Sequence, residues 1–280
     1  MLGSLIVTDP WTLAREKATE ANVTLAPLTT VGDADQINEV IAATWGGQHM
    51  DREVVRALAI SGNVSWGAFD GPRLIGFVLG WAGVDEDGLH VHSHMLAAIP
   101  DRRHGGVGEA LKLAQRAQAL EQGIDIVRWT FDPLVARNAW LNLGKLGVVI
   151  DRFARSFYGD MRDTINQGER SDRCTVAWHL GREPGPRRVP GDRVDLLTRS
   201  PHELPRPVPS GRQPAMAAVI EVPAEYHELR SADPVLGSVW RDAVAEAVER
   251  CIDAGMLGVA FDRARSAYVF ARPEAIEGEP

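Results

Sequence analysis

Cysteine is scarce in this chain. Cys174 and Cys251 are the only two among 280 residues, and no Cys-x-x-Cys pair occurs. A disulfide framework and a cysteine-based zinc site are therefore excluded. Each thiol reads as a small buried apolar side chain in a reducing compartment. Long apolar runs are missing too, since none approaches the roughly 20 residues that cross a bilayer. The stretch Met1 to Val7 has neither the charged region nor the long apolar core of a secretory leader. These absences predict a cytoplasmic protein without a membrane partner. Nor is there a basic block. Asp and Glu number 38 against 30 Lys and Arg, a net charge of -8, which argues against a nucleic-acid partner. A local positive site for a small anion is compatible with that balance. No Gly-x-Ser-x-Gly elbow and no Gly-Lys-Ser/Thr phosphate-loop ending is present. No segment repeats at a fixed short period.

What is present is ordinary in bulk. Apolar residues make up 45% and charged residues 24%, the proportions of a globular protein. The length suits one large domain or two smaller ones. One stretch organises the rest: Arg103-His104-Gly105-Gly106-Val107-Gly108-Glu109. An apolar run ending Met95-Leu96-Ala97-Ala98-Ile99-Pro100 enters it, and the helical pattern Glu109-Ala110-Leu111-Lys112-Leu113-Ala114-Gln115 leaves it. A strand, a Gly-rich turn and a helix start place backbone N–H groups beside the positive end of a helix dipole, which suits phosphate.

In chain order, Thr8 or Asp9 caps a helix over 8–20, with Pro10 in its first turn. Val23–Leu28 is a strand. Asp33 is expected to cap the next helix, whose apolar stripe is Ile37, Val40, Ile41 and Trp45. Gly46-Gly47 ends it. A helix over Asp51–Ile60 turns Val54, Val55 and Leu58 inward. Val64–Phe69 and Leu74–Trp81 are strands around Asp70-Gly71-Pro72. Asp85–Gly88 turns the chain again, and Leu89–Ala98 delivers it to the Gly-rich turn. A helix from Gly106 to Gln122 follows, stopped by Gly123. Then come a strand Ile124–Phe131, a helix Leu134–Leu146 closed by Gly147, and strands Val148–Tyr158 and Cys174–Leu180. Eight prolines and seven arginines fall between Gly181 and Pro214, which predicts an extended connector. Order resumes with a strand Ala215–Pro223. A helix from Asp233-Pro234 to Ala254 turns Val239, Ala243, Val244, Ala247 and Val248 inward. Gly258–Phe261 and Ala267–Ala271 close the chain as a strand pair.

The turn Arg-x-x-Gly-x-Gly after a strand and a Pro resembles the acyl-CoA pyrophosphate loop of the GNAT (GCN5-related) N-acyltransferase superfamily. A second stretch resembles that family's later strand-helix-strand unit: Asp132-Pro133-Leu134, then Asn138-Ala139-Trp140-Leu141-Asn142-Leu143-Gly144-Lys145-Leu146-Gly147-Val148. The likeness covers residues 23–180, and the chain resembles a long member with a C-terminal extension. It implies an α/β fold with a mixed, mostly antiparallel central sheet flanked by helices, plus a small C-terminal α+β extension. Expected domains are 1–180 for acyl-CoA binding, 181–214 as connector and 215–280 as a strand-helix-strand subdomain.

By that resemblance, Arg103, His104, Gly105, Gly106, Val107, Gly108 and Glu109 would hold the pyrophosphate of acetyl-CoA or another acyl-CoA, with Arg102 or Arg103 neutralising it. Ala97, Ala98 and Ile99 would pair their backbone with the pantetheine arm, and Asn138 would hydrogen-bond it. His104 stands where the family often has Gly. Leu143 stands where many members carry a Tyr that protonates the leaving thiolate, and Tyr158 is the expected substitute. The residues themselves offer a base. His90, His92 and His94 recur with period two on one strand and so share one sheet face. Histidine titrates nearest neutral pH, which makes His92 or His94 the expected base, with Asp85 and Glu86 behind them. Three His on one strand spread too far for a compact tetrahedral site, so no metal is expected. The implied activity is transfer of an acetyl or succinyl-type group to a primary amine of a small molecule, an amino acid among the candidates. The alternative is a non-catalytic acyl-CoA sensor or assembly protein. The C-terminal portion is expected to cap the acceptor cleft or form a homodimer contact.

Overall fold

Polar side chains cap the first two helices. In α1 (Pro10–Glu20) Asp9 is the N-cap and accepts from Thr12 N at 2.8 Å, with Pro10 in the first turn. In α2 (Val31–Trp45) the cap is Thr30, not Asp33. The Thr30 hydroxyl accepts from Asp33 N while the Asp33 carboxylate accepts from Thr30 N, a reciprocal capping box. The structure, a computed structural model, describes residues 9–46, 49–102, 105–161, 168–189, 191–209 and 216–276.

The chain divides into two compact units. The first takes in the described residues up to Trp129 together with His179–Glu183. The second takes in Thr130–Met161 and Gly168–Trp178, and the described residues from Pro184 onward. This division falls inside a strand, between Trp129 and Thr130.

In the first unit, β1 (Thr24–Pro27), β2 (Ser65–Asp70), β3 (Arg73–Asp85) and β4 (Gly88–Ala98) form an antiparallel series, and β5 (Ile126–Phe131) joins β4 in parallel. With α2, α3 (Arg52–Ile60) and α4 (Val107–Glu121), this is the order that the resemblance called for. One sheet face packs under α2 and α3 through Ile37, Val40, Ile41, Val55, Phe77 and Leu79. The other meets α1 and α4 through Ile75, Val78, Val107 and Leu111. Val55 is buried on the inward side of α3, and Leu58 packs against the same core. Val54 is 45% exposed, a correction to its expected burial, because the short helix turns only one edge to the sheet.

The second unit begins with α5 (Ala136–Ala139), which widens into a π-helical turn over Trp140–Leu146 and ends at Gly147 in the left-handed region (φ 71°). Its sheet runs β7 (Arg173–His179), β6 (Val149–Ala154), β11 (Leu257–Asp262), β12 (Ala267–Ala271), β10 (Ala217–Glu221), β8 (Val194–Arg199) and β9 (Pro205–Pro207). β8 and β9 lie in the segment predicted to be only an extended connector. β8 pairs in parallel with β10, a partner distant in sequence. β9, with its two prolines, sits at the sheet edge, where a missing N–H costs no ladder bond. α6 (Tyr226–Ala232) precedes α7 (Pro234–Asp253), which buries Trp240, Val244, Ala247 and Val248. Val239, expected inward, is 45% exposed. Cys174 and Cys251 are buried free thiols, and burial pushes the Cys251 thiol up to about 12.

Candidate active site

The site is a fork between two parallel strands of the first unit. β4 and β5 pair at Val91↔Val127 and His92↔Arg128. Beyond those two pairs, β4 continues from Ser93 to Ala98 in register with β3 alone. Antiparallel pairs exchange both backbone bonds at every second residue, and the residues between direct theirs to the other side. Ile99 N donates to Ile75 O at 2.9 Å. Ile99 and Ala97 therefore turn their backbone groups towards β3. Ala98 and Leu96 turn theirs away from β3, towards the open side of the fork. The sequence placed Ala97, Ala98 and Ile99 together as backbone partners of a cofactor arm. Of that set Ala98, together with Leu96, has its backbone groups on the open side, and nothing in the sequence signals this parity.

A β-bulge shapes the same strand. Met95 opposes Leu79 and Ser93 opposes Gly80, so His94 is the extra residue. A bulge turns two successive side chains to one face. His94 and Met95 accordingly join His92 on the α2/α3 face, where Met95 packs into the core. The Trp81 ring lies 5.1 Å from that of His92 and 4.7 Å from that of His94, with the two imidazoles 5.8 Å apart. Burial lowers the pKa of both. For His92 the neighbouring His94, His90 and Lys112 add to the effect. Both are neutral imidazoles at neutral pH, able to accept a proton. His90 shares the face and fills the space left by Gly83, whose absent Cβ would lie 2.9 Å from its Nε2. Its Nδ1 lies 3.2 Å from Gly88 O and 3.7 Å from Asp85, which ties it to the hairpin end.

At the far end of β4, a 3-10 turn Pro100–Arg102 leads towards α4. Gly106 is the N-cap in the left-handed region (φ 84°), and the first ladder bond runs from Ala110 N to Gly106 O. The N–H groups of Val107 and Gly108 lie ahead of the ladder, beside the positive dipole end. Among the described residues, a Cβ on Gly106 would meet Ala21 Cβ at 3.6 Å, an ordinary contact. Gly105 N donates to Arg102 O at 3.2 Å and shapes the turn. Glu109 occupies the first helical turn. Arg103 and His104 lie outside the described residues. Arg102 does not offer its charge to the turn. Its guanidinium bonds Asp70 at 3.2 Å and the carbonyls of Ala21 and Asn22 at 3.2 and 3.1 Å.

The remaining predicted residues belong to the second unit. Asn138 is exposed in the first turn of α5. Leu143 is fully buried inside the π-helical turn. Tyr158 is 46% exposed, its hydroxyl 2.9 Å from Thr130 Oγ1 and its ring edge-on to Phe157. Nearby in sequence is a buried charge network that sequence reasoning missed. Asp132 takes a two-pronged bond from Arg241 at 2.7 and 2.9 Å, and Arg241 also bonds Glu169 at 2.5 Å. The Tyr226 hydroxyl donates to Glu169, and Arg230 lies 3.1 Å from it. Burial alone would raise the Glu169 pKa, but Arg241, Tyr226 and Arg230 outweigh it and hold the carboxyl below its usual value. In this network two carboxylates are bridged by one guanidinium, which suits a structural clamp. Also missed was Lys112, 1% exposed on α4. Its only sequence signal is a charge set between Leu111 and Leu113. Among the described residues, no His, Cys, Asp and Glu cluster is arranged to hold a metal, and no helix is long and apolar enough to cross a membrane.

No family model matches the chain, and no curated protein matches it. Solved structures do. The chain is similar to the ribosomal-protein-S18-alanine N-acetyltransferase of Escherichia coli at 15% identity, over 56% of this chain and 94% of that one, with a TM-score of 0.42. It is similar to Chaetomium thermophilum Naa20 in complex with a bisubstrate analogue at 16% identity, over 57% and 88%, with a TM-score of 0.46. An aminoglycoside 6'-acetyltransferase type Ii matches at 15% identity, over 57% and 99%, with a TM-score of 0.42. Each match spans little more than half of this chain.

Proposed function

We propose that this protein is a CoA-dependent N-acyltransferase with a GNAT-type first unit, moving an acetyl or larger acyl group to a primary amine. The observation that carries the reading is the fork. A strand with two outward backbone positions, Leu96 and Ala98, runs into a glycine turn that opens a helix N-terminus. An extended amide-containing arm ending in a pyrophosphate needs that pair of features: strand-like backbone partners along its length and N–H groups at its anionic end. In this reading Gly105, Gly106, Val107, Gly108 and Glu109 cradle the pyrophosphate, with Arg103 and His104 beside them and Asn138 on the arm. The described residues fit the group, because Gly106 adds no side chain at the head of α4 and a Cβ there would make only an ordinary contact among them.

The donor supplies a thioester carbonyl. Amine nitrogen attacks that carbon, the new C–N bond forms, and the C–S bond then breaks. Backbone N–H groups of β4 stabilise the oxyanion between those events. His92 or His94 takes the proton from the attacking amine, for which their burial-lowered pKa keeps them ready at neutral pH. Tyr158 gives a proton to the departing thiolate. Its half-exposed hydroxyl, held by Thr130, supports that role. Both substrates are bound together, so no acyl-enzyme forms. We take the acceptor to be a small molecule, with an amino acid one candidate, and place the reaction in the cytoplasm, where Cys174 and Cys251 would stay reduced. Leu143, in the place of a family Tyr, favours one other reading, a non-catalytic acyl-CoA sensor.

Titration with acetyl-CoA, and CoA release over a panel of amino acids, small amines and peptide N-termini, tests both readings. The enzyme binds acetyl-CoA and turns over at least one class. Binding without turnover on any amine selects the sensor. In Gly106→Trp the large side chain fills the turn, so acetyl-CoA binding is abolished while the fold survives with a left-handed strain of about 1–3 kcal/mol. Unchanged affinity in that variant sinks the loop assignment.

A further inference from the structure

The strand fork has a side chain seated at its apex. Lys112 stands on the sheet-facing side of α4 and is 1% exposed. Its Nζ donates to Ser93 Oγ at 3.0 Å and to Gln115 Oε1 at 2.6 Å, and lies 3.5 Å from the centre of the Trp129 ring. The positions of those partners matter. The last β4–β5 pair is His92↔Arg128. Ser93 and Trp129 are the next residue on each strand, the pair that would follow if the two strands ran on together. A continued parallel pair would hold the two backbones about 4.8 Å apart. Instead, both side chains point to the α4 face, and the lysine amine engages one from each strand. Ser93 is 6% exposed and Trp129 8%, so the contact is shielded from water. An amine is suited to the place because it can donate to a hydroxyl and face an aromatic ring at once.

A buried lysine is expensive. Burial lowers its pKa well below the ordinary value, and a methionine or leucine would fill the same volume without desolvating an amine. Packing therefore does not account for the residue, whereas spanning two diverging strands does.

We propose that Lys112 is a positioning residue that sets the separation of β4 and β5 at the apex, and through it the placement of the Leu96 and Ala98 backbone for the extended arm of acyl-CoA. This rests on the acyl-CoA reading above. The contacts of Lys112 with Ser93, Gln115 and Trp129 all lie on the α4 face of the sheet. Its removal should weaken binding of the arm and leave binding of the anionic end alone.

Two probes separate these: acetyl-CoA, and adenosine 3′-phosphate 5′-diphosphate, which keeps the nucleotide and pyrophosphate and lacks the arm. Calorimetric titration of the full chain is made with Lys112→Met and, as a milder change that leaves the helix interior intact, Ser93→Ala. The expected result is at least a tenfold loss of acetyl-CoA affinity in Lys112→Met, a smaller loss in Ser93→Ala, and nucleotide affinity within twofold of the parent in both. A purely structural lysine would weaken both ligands together, and that outcome overturns the assignment. Parent-like acetyl-CoA affinity in both variants overturns it as well. If Lys112→Met does not fold, Ser93→Ala decides alone, a selective loss supporting the assignment and parent-like binding ending it. A parent protein that binds the nucleotide but not acetyl-CoA, or binds neither, refutes the acyl-CoA reading itself and this inference with it.

Discussion

Gly80 lies opposite the β4 bulge, and one added methyl group there should disturb both fold and site. A Cβ at this position would sit 2.7 Å from His92 O, 3.0 Å from Gln115 Nε2 and 3.3 Å from Ser93 Cα. The Gln115 amide can rotate aside. The other two atoms are backbone of β4, held by the ladder to β3, so relief requires the strands to part just where the bulge begins. Overpacking by a methyl in a tight interior costs about 1–3 kcal/mol. At about 2 kcal/mol, and about 2–4 °C of melting temperature per kcal/mol for a chain of this size, Gly80→Ala should melt about 4–8 °C lower. Gly32→Ala is the control. Its nearest neighbour would be Thr30 Oγ1 at 3.7 Å, an ordinary contact, and it lies in the first turn of α2. Alanine in a helix gains about 0.5–1 kcal/mol over glycine, so that variant should melt no lower than the parent. Thermal denaturation followed by circular dichroism reads both. CoA-release kinetics should show a lower kcat for Gly80→Ala, because the shifted carbonyl belongs to His92. A Gly80→Ala protein that melts within 1 °C of the parent, or one that matches Gly32→Ala, refutes the close approach of β3 to the bulge.

Two further outcomes follow from the charges. Because burial holds His92 and His94 below the usual histidine value and the base must be unprotonated, kcat/KM for the amine should be flat through neutrality and fall only below pH 6.5. His92→Ala and His94→Ala assayed over pH 5–9 identify which carries the limb, and parent-like profiles in both remove the pair as base. Arg241→Met removes the guanidinium that bridges the buried Asp132 and Glu169 carboxylates and should destabilise the second unit by about 3–5 kcal/mol by denaturant titration. The pH dependence has a defined sign. Glu169 has a folded pKa held below its unfolded 4.5, so its contribution is full above pH 4.5 and fades as pH falls through the folded value. Arg241→Met should flatten that acid-side loss, and an unchanged acid profile would show that Arg241 is not what holds Glu169 ionised.

Much of the first unit was legible because its signals are local. Caps, Gly stops and alternating runs marked every element from α1 to β5, and the glycine turn stood out by composition alone. Local reading also erred in a consistent way. Thr30 and Asp33 both belong to one capping box, so pattern alone does not say which of them opens the helix. Val54 and Val239 carry apolar side chains to solvent because helix faces are chosen by what packs against them, not by the residues themselves. The strand β8 was hidden among prolines, since its partner β10 lies beyond a segment that no local pattern crosses.

The class of the fold followed from the resemblance, while the glycine turn at the head of α4 and the shared face of His90, His92 and His94 were legible because each depends on residues a few positions apart. Which backbone groups of β4 are outward, that His94 is a bulge bringing Met95 to its own face, and that Lys112 reaches both arms of the fork emerge only in the folded chain. Those features arise from register between strands and from the fit of a helix on a sheet. A one-residue shift in register exchanges one side of a strand for the other while the amino-acid sequence stays the same.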